Sequence, residues 1–340
     1  MLRKIRRLIA SLALVPALLL SAALSFESPR PIVVQTSDAA ARLHGHLEAI
    51  VAGKDSAERG AAIKTQLEKL EVKVRTQPFE KQKRRGTNII AELPKSDSVT
   101  KTLMIGAHFD RVRAGQGAVD NAASCAMLLE LIPRLKKTPL KHLAVQVAFW
   151  DLEEGGLTGS QAFVDAARDG GEQKLPDAYI NFDIFAYGDT LWVMSPKQDA
   201  PLAVAARDAG REMMFPVRGG ATYPPSDHLS FIKAGVPTIG VSLIDGAEID
   251  GVIGIISGGR EAAKPDKPPR IFGIIHTPND TIDKVDAHAI ERAMPAIERL
   301  LRQCDRSIVR IESKSSSKCL VCLTVNDAPS NPVEESRRSR

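Results

Sequence analysis

The sequence predicts an α/β protein: a single globular domain with a mostly parallel central β-sheet sandwiched by α-helices. From Leu103 onward, short apolar runs rich in β-branched residues alternate with stretches whose apolar residues follow helical spacing. The short runs are apolar on both faces, which is typical of strands buried between two layers of helices. With 340 residues, 44% hydrophobic and 26% charged, the chain can fold around a large core.

The N-terminal residues predict an export signal. Basic residues from Arg3 to Arg7 precede an apolar stretch, Leu8 to Leu20, and small residues follow as far as Ser25. This order is typical of a secretory signal peptide, here residues 1–25, with a linker of residues 26–38 after it. We therefore predict an exported protein, periplasmic or secreted, that meets the membrane only through this signal. An uncleaved anchor is the alternative, because the apolar stretch is almost long enough to cross a bilayer.

Charge and cysteine content argue against two other classes of protein. The formal net charge is +5, but four of these positive charges lie before Ser25, where no acidic residue offsets them. A mature chain is therefore close to neutral, which does not predict nucleic-acid binding. Four cysteines in 340 residues exclude a disulfide-stapled miniprotein. Cys319 and Cys322 predict a local disulfide or two free thiols, and a bridge from either of them to Cys304 is left open.

The secondary-structure elements can be predicted in chain order. Helical spacing from Ala39 to Val51 and from Ala57 to Leu70 predicts two helices, and the alternation of Val72 and Val74 predicts an edge strand after them. The next predicted strands are Leu103 to Ala107, Leu143 to Phe149, Ala178 to Phe182 and Thr238 to Leu243, and the predicted helices are Ala122 to Leu135, Ser160 to Ala167 and Ala287 to Leu301, with a kink at Pro295. The domain is expected to span residues 39–305. Residues 306–340 are Ser/Lys-rich in part and predict a poorly ordered C-terminal tail.

Polar side chains follow several of the apolar runs. Ligands of doubly wound sheets bind outside the carboxyl ends of the strands, so these side chains are candidates for function. Taken singly, each has a structural explanation, such as a helix cap for Asp120 or a solvated loop for Glu153. Taken together, they supply the donors for two metal ions that share a bridging carboxylate. The set is His108, Asp110, Asp120, Glu153, Glu154, Asp183 and His276.

This donor set favours zinc. Imidazole and carboxylate together form a mixture that Zn²⁺ accepts, and the set holds no cysteine, which argues against a closed structural site. If each ion takes one histidine, one terminal carboxylate and the shared carboxylate, a position stays open for water. The sequence therefore predicts two Zn²⁺ per chain in a catalytic site.

Six short motifs occur in chain order across the predicted sheet. They are Gly106 to Asp110 (GAHFD), Val119 to Ser124 (VDNAAS), Glu153 to Ser160 (EEGGLTGS), Asn181 to Asp183 (NFD), Ser226 to His228 (SDH) and His276 to Thr281 (HTPNDT). Between Leu43 and Leu301 the chain resembles the co-catalytic di-zinc aminopeptidases, secreted metallopeptidases whose relatives include the glutaminyl cyclases. The resemblance implies the zinc exopeptidase type of α/β fold.

The same resemblance implies a role for each candidate residue. It places His108 and Asp183 on one zinc ion, Glu154 and His276 on the other, and Asp120 between the two. Asp110 would accept the second ring proton of His108, and Glu153 would be the general base for a zinc-activated water. The implied reaction is hydrolysis of the peptide bond at the free N-terminus of a peptide or protein. The oligomeric state is not predicted.

Three further features of the sequence bear on the site. Asp227 and His228 open a predicted helix, either as substrate contacts or supports of the metal ligands or, equally, as a helix cap. The segment from Asp245 to Arg270, with Gly258-Gly259 and three prolines, predicts a surface loop over the site that sets substrate choice. Cys125 stands where the family usually has glycine and is expected to be a small buried thiol.

Parts of the sequence are compatible with functions other than peptide hydrolysis. Phe149-Trp150-Asp151 favours a glutaminyl cyclase, but Ile275 stands where the cyclases usually place a tryptophan. Carboxypeptidase or aminoacylase activity on other amides uses the same chemistry and stays open. A non-catalytic binding domain is disfavoured, because such a domain would be expected to have lost metal ligands or the base, and this sequence has them all. The chain contains no G-x-S-x-G elbow, no G-x-G-x-x-G and no Walker motif, which excludes the α/β-hydrolases and leaves no nucleotide cofactor implied.

Overall fold

An eight-stranded mixed β-sheet forms the centre of the protein, in a computed structural model that describes residues 38–171, 173–262 and 268–323. Side chains are described in these ranges except at 259–262 and 308–323. The strands are β1 (Lys73–Lys81), β2 (Arg84–Glu92), β3 (Lys101–His108), β4 (Leu143–Trp150), β5 (Ala178–Phe185), β6 (Thr190–Met194), β7 (Val217–Gly220) and β8 (Thr238–Ile244). Their order across the sheet is β1-β2-β4-β3-β5-β8-β6-β7.

The centre of the sheet is parallel, as the sequence predicts. Strands β4, β3, β5 and β8 run parallel to one another, and every residue of β5 and β8 is buried. Such continuous burial explains their uninterrupted apolar sequences, because both faces are covered. Antiparallel pairs flank this centre: β1 with β2, β2 with β4, and β6 with β8. The protein is thus a single α/β domain with a mixed sheet.

Helices cover the sheet on both faces. They are α1 (Asp38–Val51), α2 (Ser56–Lys69), α3 (Ala123–Lys137), α4 (Thr158–Arg168), α5 (Pro201–Glu212), α6 (His228–Lys233), α7 (Ile249–Ala262) and α8 (Ala287–Leu323). Strand residues alternate between two hydrophobic clusters: Leu103 and Ile105 belong to the larger one, and Met104 to the smaller. The larger cluster packs under α1, α3 and α8, whereas α4 and α6 cover the smaller one.

The smaller cluster is built from aromatic rings. Trp150 lies with its ring centroid 5.2 Å from Phe163 and 5.7 Å from Phe231, and its Nε1 donates to the Tyr179 hydroxyl at 2.7 Å. Gly106 makes this arrangement possible, because a Cβ there would lie 2.8 Å from Trp150 Nε1. The glycine of the GAHFD motif is therefore required by packing directly behind the strand end that carries His108.

Most predicted elements are confirmed, but one segment was predicted wrongly. The segment from Asp245 to Arg270 is not a loop, because α7 occupies residues Ile249–Ala262 of it. Ile249, Val252, Ile253 and Ile256 follow helical spacing, and the first two are buried. The loop was predicted from the glycines and prolines of the segment, whereas the spacing of its apolar residues indicates the helix. Residues 263–267 lie outside the described part of the chain.

Other differences concern missing elements and boundaries. Strands β2, β6 and β7 and helix α5 were not predicted, and the apolar run before His276 contains a 3₁₀ turn, Arg270–Gly273. Helix α8 continues through Pro295 to Leu323. The predicted signal peptide, nearly all of the predicted linker and residues 324–340 lie outside the described residues, as do the side chains of Cys319 and Cys322. In the part that is described, no helix is both long enough and apolar enough to cross a bilayer.

Candidate metal centre

Strand register brings the first candidate residues together. His108 pairs in register with Trp150, so β3 and β4 end side by side, and Glu153 and Glu154 follow within the next turn. On the other side of β3, Gly106 pairs with Asn181, which places Asp183 beside His108. Because these strands are parallel, their carboxyl ends meet at one edge of the sheet.

Asp120 reaches the same edge from the turn between β3 and α3. This turn, Ala118–Ala122, includes a cis peptide bond between Asp120 and Asn121, and neither of these two residues has helical backbone angles. The Asn121 side chain donates to Phe182 O at 3.0 Å and accepts from Ile184 N at 3.1 Å. These two hydrogen bonds bracket Asp183, so Asn121 fixes the turn that carries Asp120 to the strand end that carries Asp183.

His276 comes from the loop before α8 and is held by Asp280. The Asp280 carboxylate accepts from Val119 N at 2.7 Å and from Asp120 N at 3.3 Å, while Asp280 O accepts from Gln116 N at 2.6 Å. These bonds join the loop of His276 to the loop of Asp120. Sequence reasoning assigned no role to Asn121 or Asp280, although both lie inside the quoted motifs, VDNAAS and HTPNDT.

Backbone strain occurs at or next to three of these residues. Leu152, which precedes Glu153, has φ 57°; Ile184, which follows Asp183, has φ 55°; and His276 itself has φ 58°. Non-glycine residues rarely adopt this left-handed region, and a β-branched isoleucine does so least readily. Such strain persists only where the surrounding structure holds it, and it is typical of functional sites.

The centre of the site is the Asp120 carboxylate, which lies between two histidines. Its Oδ1 is 3.2 Å from His108 Nε2, and its Oδ2 is 3.2 Å from His276 Nε2. His276 Nε2 also lies 3.2 Å from Glu154 Oε2, and His108 Nε2 lies 3.6 Å from Asp183 Oδ1. One carboxylate thus faces two imidazole–carboxylate pairs, one through each oxygen.

The donor atoms form two groups compact enough for a cation each. His108, Glu153 and Asp183 make one group and Asp120, Glu154 and His276 the other, with the ligand atoms of each group within 4.8 Å of one another. Asp120 Oδ1 also reaches the first group through His108. Glu153 therefore lies close enough to be a ligand in the first group, whereas the sequence predicts that it is the base and not a ligand.

Asp110 supports both sides of the centre. Its carboxylate lies 3.4 Å from His108 Nδ1, on the side of the ring away from Asp120. It also accepts from Glu153 N at 2.9 Å and from Glu154 N at 3.2 Å. The side chain therefore fixes the turn that presents both glutamates, a contact that its position in the sequence did not indicate.

The electrostatics of the site show an excess of buried negative charge. Burial alone would lower the pKa of His108, but the nearby carboxylates of Glu153, Asp110, Asp120 and Asp183 raise it well above its usual value. Hydrogen bonds to Asp120 and Glu154 raise the pKa of His276 to about 10. Burial raises the pKa of Glu153 to about 9. In the metal-free protein, protons on the histidines thus offset the carboxylates.

These observations fit divalent cations. Asp183 Oδ1 and Glu154 Oε1 are buried and accept no hydrogen bond from any described residue. Buried carboxylate oxygens of this kind need a cation or a donor. Two imidazoles with several carboxylates are donors that Zn²⁺ accepts, and a cation in each group would replace the charge that the histidine protons now supply.

Asp227, His228 and Cys125 lie near the centre but outside the two donor groups. Asp227 is fully buried, and burial raises its pKa to about 7. The His228 ring contacts Tyr223, with centroids 5.4 Å apart, and burial lowers the pKa of His228 to about 4. Asp227 and His228 precede and begin α6, and neither caps it through its side chain. Cys125 is a buried free thiol, as expected, and donates to His108 O at 3.1 Å.

The fold and this centre define an α/β protein with two groups of candidate metal ligands at the carboxyl edge of its sheet. A comparison with family models identifies its family: the model of peptidase family M28 matches residues 88–301, more than half of the chain. The chain belongs to this family.

Two relatives illustrate the similarity of sequence. The probable lipoprotein aminopeptidase LpqL of Mycobacterium tuberculosis is 32% identical over 224 residues, 61% of this chain and 43% of that protein. Leucine aminopeptidase 2 of Trichophyton equinum is 31% identical over 173 residues, 48% of this chain and 34% of that protein. The matched region thus spans less than half the length of either relative.

Solved structures share the fold. The LapA aminopeptidase of Legionella pneumophila matches with a TM-score of 0.60 and 19% identity, over 78% of this chain and 72% of LapA. The glutaminyl cyclase of Porphyromonas gingivalis matches with a TM-score of 0.58 and 18% identity, over 77% of this chain and 97% of the cyclase. At this identity the likeness concerns the fold alone.

Proposed function

We propose that the protein is a metallo-aminopeptidase that holds two Zn²⁺ ions and hydrolyses the first peptide bond of peptides with a free N-terminus. The observation that carries this proposal is the position of Asp120, whose two oxygens each lie 3.2 Å from a different histidine. One carboxylate between two imidazole–carboxylate pairs suits two cations that act on one substrate. Membership of a peptidase family supports the choice of reaction.

The two ions would have separate ligands and one shared ligand. His108 and Asp183 would hold the buried ion, Glu154 and His276 would hold the other, and Asp120 would bridge them. Asp110 would orient His108 by accepting its Nδ1 proton and would keep both glutamates in place through their backbone N–H groups. It acts by positioning other groups rather than by touching the substrate.

Glu153 would move the proton during the reaction. When bound, the zinc ions lower the pKa of a water molecule and polarise the scissile carbonyl. The Glu153 carboxylate takes a proton from the attacking water and passes it to the nitrogen of the leaving amine. The position of Glu153 suits this role, because its Oε2 lies 4.0 Å from His108 Nε2, beside the first donor group.

The charge of the site favours substrates with a free α-ammonium group. Besides the proposed ligands, the centre contains Asp110 and Glu153 and has the buried Asp227 close by. None of these three carboxyl groups is a proposed ligand, so each can face an ammonium group when it is ionised. A positively charged N-terminus is attracted to such a site, whereas an acetylated N-terminus is not. Asp227 would contribute through its charge, and His228 through its packing against Tyr223.

The test is mass spectrometry of a peptide mixture incubated with the purified protein. The mixture contains peptides with free, acetylated and glutamine N-termini, and parallel samples contain a chelator or a chelator followed by Zn²⁺. We expect loss of single N-terminal residues from the free peptides only, abolished by the chelator and restored by Zn²⁺. Loss of ammonia from the glutamine peptide would instead identify a cyclase, and no change in any peptide would refute the proposal.

We also propose that the protein is exported and that residues 1–25 are removed on the way. The proposal rests on the basic, apolar and small-residue order of these residues. Cell fractionation followed by N-terminal sequencing would test it. The expected mature chain begins near Phe26 in the exported fraction, whereas an intact N-terminus in the membrane fraction would show an anchor.

A further inference from the structure

Arg59 of helix α2 is a buried cation that contacts the backbone next to the metal centre. Its side chain is fully buried, and all three of its guanidinium nitrogens donate to backbone carbonyl oxygens. Nε donates to Phe109 O, Nη1 to Gln116 O at 2.8 Å and Nη2 to Gly117 O at 3.0 Å. One guanidinium group therefore joins the two ends of the loop of residues 109–117, which follows β3.

Both ends of this loop adjoin residues of the metal centre. Phe109 lies between His108 and Asp110, and Gly117 directly precedes the turn that carries Asp120. The guanidinium thus ties the strand end of His108 to the turn of Asp120. These are the two residues whose side chains meet at the centre, with Asp120 Oδ1 3.2 Å from His108 Nε2.

The same loop also reaches the segment that carries His276. Gln116 N donates to Asp280 O at 2.6 Å, and the Gln116 side chain accepts from Ile282 N at 2.9 Å. Arg59 holds the carbonyl group of the same residue, Gln116. Through this one residue, the contacts of the guanidinium extend from the buried half of the centre to the exposed half.

A second arginine holds the middle of the loop. Arg111 Nη1 donates to Val112 O and to Gly115 O, each at 3.0 Å, and its Nη2 donates to Lys54 O at 2.8 Å. Lys54 lies between α1 and α2, so both arginines connect the loop to the N-terminal helices. These bonds are made by protein groups alone, and they can therefore fix the loop before a metal ion binds.

We propose that Arg59 is a positioning residue that fixes the two halves of the metal centre relative to each other before zinc binds. The inference rests on the proposed function, because it takes His108, Asp120 and His276 as ligands. Arg59 lies before residues 88–301, the part of the chain that the family model matches, so helix α2 contributes to the centre from outside that part. Groups that orient metal ligands typically change metal affinity 10 to 100-fold.

Arg59→Lys tests this role. An ammonium group keeps the positive charge, but it is a point donor and cannot reach three carbonyl oxygens arranged around a planar guanidinium. We expect the variant to bind at least one zinc ion about 10 to 100-fold more weakly than the wild type, measured by competition with a chromophoric chelator. If Arg59 acts only through its charge, the variant will bind zinc as the wild type does, and the proposal is overturned.

Arg42→Lys is the matched control. Arg42 of α1 donates to both carboxylate oxygens of the buried Glu130 of α3, at 3.0 Å and 2.6 Å, so this variant also loses a forked contact. We expect it to lower the free energy of unfolding and to leave zinc affinity unchanged. Zinc binding weakened equally in the two variants would show a general loss of stability and would overturn the positioning role.

Hydrogen exchange of the wild type replaces the variant if Arg59→Lys does not fold. A loop that is fixed before zinc binds protects the Gln116 amide equally in the zinc-free and the zinc-loaded protein. Protection that develops only with zinc would overturn the proposal.

The outcomes separate this inference from the proposed function. Zinc binding and hydrolysis by the wild type, with weaker zinc binding in Arg59→Lys alone, support both. Zinc binding and hydrolysis by the wild type with unchanged zinc affinity in Arg59→Lys overturn the role of Arg59 and leave the aminopeptidase proposal intact. A wild-type protein that binds no zinc overturns the proposed function and this inference with it.

Discussion

The two halves of the metal centre are built in different ways. The His108 half is formed at the ends of β3 and β5, and the His108 side chain is 1% exposed. The His276 half is formed by loops, and the His276 side chain is 56% exposed. Strand register fixes the first half as part of the core, whereas the second half depends on hydrogen bonds between loops, above all those of Asp280.

This difference separates the roles that charge plays in the two halves. In the His108 half, ionised carboxylates have no access to water and need either a cation or a protonated histidine. In the His276 half, solvent reaches and screens the ring, although Asp120 and Glu154 are only 8% and 12% exposed. The buried half should therefore control folding of the metal-free protein, and the exposed half should control the binding and release of one ion.

The largest expected effect is on kcat, and it distinguishes the roles of the adjacent residues Glu153 and Glu154. We expect Glu153→Gln to lower kcat by about 10² to 10⁴-fold, because the amide cannot accept the proton of the attacking water. Two zinc ions per chain should remain bound. Glu154→Gln should instead lose one ion, because the proposed ligand of the exposed half is weakened. Activity assays and metal analysis on both variants measure these effects.

The same experiment decides how Glu153 takes part in the first donor group. Its carboxylate reaches within 4.0 Å of His108 Nε2. If Glu153→Gln loses one zinc ion as Glu154→Gln does, Glu153 is a ligand and a different group must be the base. Glu80→Gln, at an exposed glutamate of β1, is a control that should change neither activity nor metal content.

The second prediction concerns the stability of the metal-free protein. His108→Ala should lower the free energy of unfolding by about 3 kcal/mol, because buried carboxylates lose the cation that offsets them. His276→Ala should lower it by less than about 1 kcal/mol, because solvent screens the exposed half. Denaturant unfolding in the presence of a chelator measures both. Equal losses in the two variants would refute the division into a buried and an exposed half.

The sequence predicts the buried half better than the exposed one for a physical reason. Parallel strands align their carboxyl ends, so the sequence predicts that residues at the ends of apolar runs, such as His108 and Asp183, lie close together. No comparable rule places a loop residue. His276 entered the candidate set because it follows an apolar run, but that run contains a 3₁₀ turn instead of a strand. The contacts of Asp280 and Asn121 became visible only in three dimensions.

The walls of the site were predicted least well. Trp192 comes to lie beside Ser242 because β6 pairs with β8, and Tyr223 packs against it from the segment between β7 and α6. Strand order of this kind is set by packing across the whole sheet and not by local pattern. Helix α7 was predicted as a loop because its glycines were weighed more heavily than the spacing of its isoleucines. The exposed half and the walls around it therefore depend on contacts between distant segments.

The third prediction tests the hydrogen bonds that hold the exposed half. Asp280→Asn should weaken the binding of one zinc ion about 10 to 100-fold, because an amide offers one acceptor where the carboxylate offers two to Val119 N and Asp120 N. Competition with a chromophoric chelator measures the affinity of each ion. Asp283→Asn, at an exposed carboxylate a few residues further on, is the matched control and should bind both ions as the wild type does. Equal affinities in Asp280→Asn and Asp283→Asn would show that the loop does not depend on these bonds.

The smallest expected effect is on the pH dependence of the free energy of unfolding. It compares two buried histidines, one that faces carboxylates and one that does not. His108 faces carboxylates and has a raised pKa, whereas burial lowers the pKa of His228 to about 4. Below the unfolded value of about 6.5, the unfolded chain binds a proton that the folded protein does not, so His228 lowers stability as the pH falls. Between pH 7 and pH 5.5, the metal-free wild type should lose about 1 kcal/mol more free energy of unfolding than His228→Asn. An equal loss in both would mean that His228 accepts a proton in the folded protein, and that burial without a facing carboxylate does not keep this ring neutral.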